Sequence, residues 1–553
     1  MAKGQKHLLV KKYLEQHSLV ESNLLSFNDF IEHKLAKIVD EINESMINET
    51  DIEIKLGKIR IEKPNIIEAD GSSDLITPTI ARLRNLTYSA PVFLELNVKY
   101  GEQVDSGEVE IGRIPVMVRS IACNTHGISK EELVENYMDP LDTGGYFIIN
   151  GNERIMVMSE DLAANQPFIE EGRLGLTLRV FSQRGSYRIP VTLSETSEGL
   201  LDVTFSRLKN IPAVVLLKAL GMVKESEISQ QIHHETDVLI VNLYEFSSLK
   251  DSEDALIYLA EKSGFQGTKK EMIDRIKQRL DTYFLPHIGT DKGMRIEKAK
   301  TLCRLLRLYL RAKEDQKIRT DKDHYANKRI KLSGDLMADL FRVNLNILIR
   351  DIQYSLQKIA KRKKFYSVKT IAKSTLFSQR VESAIATGSW IGERSGVTQN
   401  MQKTNYLEAL SQLQRVSSML PGDQENFLAR TLHPTHYGRF CPTETPEGTE
   451  IGLRKNLDIL SKITTAMTIN EKSLMKHLEN AGLHKEVKEN TYDVFYNGQF
   501  IGVVENPHIF TEKMREVRRK GDLPEEFGIA FNEEVGYITL SSEVGRVLRS
   551  NFA

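Results

Sequence analysis

The sequence predicts a multidomain α+β protein, on three observations. The chain has 553 residues, too many for one core at about 150 residues per domain, so roughly three or four units are expected. Its 40% hydrophobic and 27% charged residues, with a single Trp, are the mix of a chain that buries apolar cores and show no mark of wholesale disorder. The spacing of apolar residues switches along the chain between the helical and the strand period, which calls for both kinds of element.

Taken in order, the first fifty residues read as helix, because Leu24, Phe27, Phe30, Ile31, Leu35, Ile38 and Val39 recur at helical spacing, with Ser26 or Asn28 available as a cap. From Asp51 the period becomes two, in Asp51 to Leu56, Lys58 to Glu62 and Pro91 to Val98. The segment from Asp142 to Met158 reads as two buried strands joined at Asn150-Gly151-Asn152, a strong hairpin signal. Alternation at Leu174 to Phe181 and Tyr187 to Leu193 leads into helical patterning from about Ala213 to Leu310, where a second domain is placed. Helical patterning continues from Leu336 to Ala360. The stretch from Gln379 to Lys462, rich in Gly, Gln, Thr and Pro, has weak periodicity and reads as a functional loop system. Beyond it the structure is mixed, with a strand-turn-strand from Tyr492 to Val504 around Asn497-Gly498.

No run of roughly 18 apolar residues offers a membrane span, and the start lacks the apolar core of a signal peptide. A cytoplasmic location is expected. The three cysteines, Cys123, Cys303 and Cys441, are far apart and form no CxxC pair, which argues against a disulfide framework or a Cys-rich zinc site. Net charge is −1, yet residues 301–373 hold 19 Lys/Arg against 7 Asp/Glu, a net of +12. That zone, including Lys361-Arg362-Lys363-Lys364, suits either phosphate neutralisation or a solvated face beside an acidic neighbour.

Motifs that carry chemistry by themselves are scarce. The glycines from Gly388 to Gly396 lack the Lys and the spacing of a phosphate loop. His433, His436 and Cys441 superficially offer metal ligands, but Pro434 opposes a helical HxxH and a fourth ligand is missing. Asp321 and Asp323 could flank a magnesium ion, or simply form a charged surface turn. A chain this large without a self-sufficient catalytic constellation suggests a subunit.

The run from Thr431 to Gly448, TLHPTHYGRFCPTETPEG, followed by IGLRKNL from Ile451 to Leu457, closely resembles the signature of the second-largest (beta-type) subunit of multisubunit DNA-directed RNA polymerases. Further blocks agree in order: ARLRNLTYSAP from Ala81, GGYFIINGNER from Gly144, DKDHYANKR from Asp321 and ATGSW from Ala386. Their wording is archaeal or eukaryotic rather than bacterial, and the length is that of the N-terminal half of a subunit divided between two polypeptides. The resemblance implies a protrusion domain in two parts, 1–155 and 321–385, a lobe inserted at 156–320, a fork at 386–460 and an external 1 domain at 461–553.

Within the fork, Gln399 matches a glutamine near the RNA of the hybrid and Arg415 an arginine supporting the same wall. Pro421 to Phe427, including Gly422, matches the loop near the point of DNA strand separation, with Arg430 beside it. Arg439 is a further nucleic-acid-proximal candidate. For Arg415 and Arg439, core packing or ion pairing remains the alternative to phosphate contact. His433, Pro434, His436, Glu444, Glu447 and Gly448 carry the family signature. Gln402 and Gln412 stand where bacterial relatives place an Asp and a His in an inhibitor pocket, which implies resistance to rifamycins. The stretch between Glu393 and Ser395 is shorter than in nuclear relatives.

The resemblance places no catalytic residue and no metal in this chain, with magnesium expected in the largest subunit of the assembled enzyme. Implied partners are the C-terminal half of the subunit, on a second polypeptide, the largest and other polymerase subunits, template and non-template DNA, nascent RNA and transcription factors, but no membrane. Alone the chain should be inactive. Two other readings stay open: a non-catalytic nucleic-acid-binding assembly scaffold, and a self-contained metal-dependent nuclease or transferase.

Overall fold

The helical spacing near the start becomes helix at Glu21–Asp29 and Leu35–Ser45, with a π-helical turn at Phe30–Lys34 between them. The expected caps are not caps. Ser26 is buried inside the first helix, and Asn28 Oδ1 accepts a hydrogen bond from Ile121 N at 3.0 Å, so a tertiary partner outbids the local one. A computed structural model describes residues 7–8, 11–13, 17–45, 52–100, 103–172, 175–185, 187–234, 236–361, 374–392, 394–485 and 491–549. Arg362, Lys363 and Lys364 of the basic run, Leu174 and Glu393 lie outside the described residues. Among those described, no helix is long and apolar enough to cross a membrane.

The chain forms two units. The first takes residues 1–161, 328–466 and 544–553, and the second takes 162–327 and 467–543.

In the first unit the alternating segments form an antiparallel sheet in which Ser89–Tyr100 pairs with Ile52–Ile61 on one side and Gln103–Pro115 on the other. The helices Ser333–Lys361 and Ser374–Thr387 join the N-terminal helices and this sheet in one core. Aromatic side chains connect its parts, with ring centroids 5.5 Å apart for Phe27 and Phe147, 6.1 Å for Phe30 and Phe341, and 5.4 Å for Phe341 and Phe377, each edge to face. Residues three hundred positions apart in sequence thus share one core.

The hairpin forms as its sequence predicts. Phe147–Ile149 and Asn152–Met156 pair through Asn150 at φ +49° and Gly151 at φ +76°, the left-handed pair such a two-residue turn requires. The run does not continue as one strand to Met158, however. After Val157 the strand Met158–Leu162 joins a different sheet.

In the second unit Pro167–Gly172, Gly175–Arg184, Tyr187–Glu195, Leu201–Phe205 and Leu208–Pro212 follow one another as an antiparallel meander. The predicted helical stretch begins with Ala213–Ala219 and ends with Arg295–Glu314. Two buried lysines cap helix ends there: Lys218 Nζ donates to the carbonyls of Phe246 and Leu249 at 2.8 and 3.0 Å, and Lys298 Nζ to those of Leu280 and Asp281 at 3.1 and 2.7 Å. The strands Tyr492–Tyr496 and Gln499–Val504 turn at Asn497-Gly498 as expected. Their sheet joins the same unit through Arg304, whose guanidinium lies 3.6 Å from the Phe500 ring centre.

Gly334 shows how tightly the first core is set. It stands in the first turn of Ser333–Lys361, where Ser333 Oγ donates to Asn23 O at 3.0 Å, and a Cβ added at Gly334 would lie 1.9 Å from Ser26 O. Alanine favours an isolated helix over glycine by about 1 kcal/mol, but overpacking against backbone costs about 1–3 kcal/mol. Gly334→Ala is therefore expected to lower the melting temperature by several degrees in a thermal unfolding scan, against the sign of helix propensity.

Candidate nucleic-acid interface

Four short segments build the sheet beneath the signature. Their order is Lys328–Lys331, Met158–Leu162, Arg415–Ser418, Arg454–Asn456, with Arg415–Ser418 parallel to Met158–Leu162 and antiparallel to Arg454–Asn456. Strands of three to five residues are not stable alone. Here a buried charge network ties them. Glu160 accepts from Lys328 Nζ at 3.2 Å and from Lys455 Nζ at 3.0 Å, and all three side chains are more than nine-tenths buried. His436 sits within electrostatic reach of this network. Burial, reinforced by Lys455, pushes its pKa down to about 4 and keeps the imidazole neutral at pH 7.

The signature loops lie over this base. His433 caps the 3₁₀ turn Pro434–His436, accepting from Thr435 N at 3.2 Å, with Pro434 in its first position. Such a turn does not stack two imidazoles as a helical HxxH does, and among the described residues no group of three His, Cys, Asp or Glu could hold a metal ion. Asp321 closes its own turn by accepting from Asp323 N at 2.9 Å.

Arg430 is occupied inside the protein. Its Nη1 donates to Thr449 O and Ile451 O at 2.6 and 3.2 Å, and its Nη2 to Gly422 O and Gln424 O at 2.8 and 3.1 Å, fastening the Pro421 loop to the loop after Gly448. Gly452, at φ +72°, makes this possible, since a Cβ there would lie 2.1 Å from Arg430 O. Arg439 is occupied too, donating to Val547 O at 2.9 Å and Thr435 O at 3.1 Å. Glu444 accepts from Asn456 Nδ2 at 2.7 Å and from Ser411 Oγ, while Glu447 and Gly448 stand exposed.

Other candidates face outward. Gln399 lies in the strand Thr398–Asn400, paired with Ile155, and is partly exposed. Pro421 is exposed, as are Phe427 and Leu428 at 79% and 72%. Arg415 is the unusual one. It is half-buried, and its guanidinium has no hydrogen-bond or ion-pair partner among the described residues. Burial and then Arg454 lower its pKa, while Glu444, Glu408 and Glu450 raise it from beyond ion-pair distance. A desolvated arginine without an anion is a place where an anion gains.

Several residues here were not singled out in the sequence. Lys455 lies within a signature block and Glu160 six residues beyond another, but nothing in their spacing marks them as partners. Gln412, named only for its inhibitor-pocket position, is buried and uses both ends of its amide, accepting from Gln402 N at 2.8 Å and donating to Asn400 O at 3.0 Å.

A shared sheet gathers segments from distant parts of the sequence beneath a loop system fastened by arginine. The chain belongs to the RNA polymerase beta subunit family, whose model matches residues 18–379, with RNA polymerase Rpb2 domain 3 matching 399–463 and Rpb2 domain 4 matching 494–553. It is 36% identical to the DNA-directed RNA polymerase subunit Rpo2 of Saccharolobus solfataricus over 98% of this chain and 50% of that one. It is 39% identical to subunit Rpo2N of Halobacterium salinarum over 87% of this chain and 97% of that one, and 40% identical to Rpo2N of Methanocaldococcus jannaschii over 82% and 95%. The chain therefore spans about half the length of the Rpo2 relatives and nearly all of the Rpo2N ones.

Glu160→Gln removes a carboxylate shared by two buried lysines and should cost about 3–5 kcal/mol, read as a shift of the urea midpoint. Lys455→Met in that background should cost less than it does alone, because the ion pair the two residues share is already gone. His436 gives a pH signature. Unfolded, it takes up a proton near pH 6.5; folded, only near 4. Its contribution is fully present above pH 6.5 and is lost as pH falls toward 4. His436→Phe should accordingly lose less stability than the parent between pH 7 and pH 4.5 in paired urea titrations.

Proposed function

We propose that the chain serves as one subunit of a DNA-dependent RNA polymerase, helping to form the cleft and fork that guide DNA and the RNA–DNA hybrid during template-directed synthesis. The observation that carries this reading is Arg415, a half-buried guanidinium with no hydrogen-bond or ion-pair partner among the described residues, while Arg430 and Arg439 are occupied by backbone carbonyls. Gln399 faces the RNA and Arg415 a backbone phosphate of the hybrid. An amide and a guanidinium that stay on sugar and phosphate hold a strand without reading its sequence. The Pro421 loop, kept in shape by Arg430, stands near the point of DNA strand separation.

In this reading residues 1–155 and 321–385 form the protrusion, 156–320 the lobe, 386–460 the fork and 461–553 the external 1 domain. The catalytic magnesium belongs to the largest subunit, and nucleotidyl transfer from a nucleoside triphosphate to an RNA 3′ hydroxyl happens there. The partners are the C-terminal half of the subunit, the largest and remaining subunits, both DNA strands and the transcript, with a cytoplasmic setting. The match along almost the whole length of the Rpo2N relatives supports a subunit divided between two polypeptides.

The complex purified through a tag on this chain should contain further polymerase subunits and synthesise RNA on a DNA template with magnesium, while the isolated chain does not. Within that complex, Arg415→Ala should cut retention of the RNA–DNA hybrid about tenfold or more, the value of one charged hydrogen bond. It should also reduce the salt dependence of retention by about one ion. Its melting temperature should hold, since the side chain makes no hydrogen bond or ion pair among the described residues. Unchanged retention with an unchanged salt slope would overturn the assignment of Arg415.

A further inference from the structure

The strand that carries Gln399 has three residues, Thr398–Asn400, far too few to hold a side chain in place by themselves. It pairs with Asn152–Met156 in the register Gln399 to Ile155 and Asn400 to Arg154, and Met401 N donates to Glu153 O at 3.0 Å. Directly paired residues share a face of an antiparallel ladder, as do alternate residues of one strand, so Gln399, Ile155 and Glu153 project to the same side.

On that side stands a charge cluster separate from the network around Glu160. Glu153 Oε1 accepts from Arg82 Nε at 2.7 Å, and Lys403 Nζ lies 2.6 Å from its Oε2. Arg82 also donates to the hydroxyl of Tyr146, which in turn donates to Asp142 at 2.5 Å. Tyr146 is fully buried, the Glu153 side chain is 13% exposed, and Lys403 is half-exposed. Three segments distant in sequence, around residues 82, 153 and 403, thus meet on one carboxylate. Lys403 lies four residues past Gln399, so its bond to Glu153 fixes the strand just beyond the point where Gln399 leaves it.

We propose that Glu153 is a positioning residue for Gln399: by holding Arg82 on one side and Lys403 on the other, it sets the strand that presents the Gln399 amide to RNA. The inference rests on the reading of Gln399 as an RNA contact. It makes a prediction opposite in sign to simple electrostatics. Glu153→Gln removes a negative charge beside the interface, which by charge alone tightens the hold on a polyanion. Loss of positioning loosens it.

The test is a double-mutant cycle in the complex purified through a tag on this chain. Halted complexes carrying Glu153→Gln, Gln399→Ala or both are challenged with high salt, and the half-life of labelled RNA in the complex is followed. Gln399→Ala is expected to shorten that half-life about fivefold, the equivalent of one neutral hydrogen bond. Glu153→Gln is expected to shorten it as well, and the double variant no further than Gln399→Ala alone. A Glu153→Gln half-life equal to or longer than the parent's overturns the inference, and so does an additive double variant. A Gln399→Ala complex that holds RNA like the parent overturns the RNA contact itself, and the positioning role with it. Should Glu153→Gln fail to enter the complex, Lys403→Met carries the same cycle, because a half-exposed ion pair contributes under about 1 kcal/mol to folding.

Discussion

The buried carboxylate of Glu160 is the constraint on which the first unit depends. Taking an ion out of water costs several kcal/mol even after relaxation, and only close, well-oriented countercharges offset it. Those countercharges, Lys328 and Lys455, lie 168 and 295 residues further along the chain. The strand Met158–Leu162 directly precedes the stretch 162–327, Lys328–Lys331 directly follows it, and Arg454–Asn456 ends the signature. None of the three is long enough to form a sheet alone, and the Glu160 carboxylate bridges the lysines of the other two. The network ties these strands to one another, and it joins the two sides of the inserted segment to the loops that carry the candidate interface.

On that base the arginines divide the work according to what surrounds them. A charged hydrogen bond contributes about 1.5–3 kcal/mol when its geometry is good. Arg430 directs four such bonds at carbonyls of two loops that have no regular structure of their own, and Arg439 directs two at the segments around Thr435 and Val547. These side chains replace the backbone ladder that a loop lacks. Arg415, anchored in the strand Arg415–Ser418, spends none of its donors on the described residues. Fastened loops and a pre-oriented guanidinium with no partner among the described residues suit the contact with a sugar-phosphate backbone proposed above.

Local chemistry and long-range packing can be separated residue by residue. The Asn150-Gly151 and Asn497-Gly498 turns were legible because both need left-handed backbone at two successive positions, a demand few residue pairs meet. The helical face of Phe27, Phe30 and Ile38 was legible because burial on one side leaves a periodic trace. The caps proposed at Ser26 and Asn28 failed for the opposite reason: a short polar side chain serves a local or a distant partner equally well, and only the fold says which is near. The break at Val157, where a continuous apolar run divides between two sheets, has no local signal at all.

For the candidate interface, the sequence by itself determined the family signature from Thr431 to Gly448 and the order of the blocks around it. These are properties of residue type and order. Only the tertiary structure decided which arginine is spent and which is not, since Arg415, Arg430 and Arg439 are chemically identical in sequence and differ solely in what folds around them. It alone paired Glu160 with Lys328 and Lys455, and Glu153 with Arg82 and Lys403, because a charge carries no record along the chain of the distant charge it will meet. The physical reason is range: turns and periodicities act over a few residues, whereas burial and countercharge are settled only once the whole chain has closed around them.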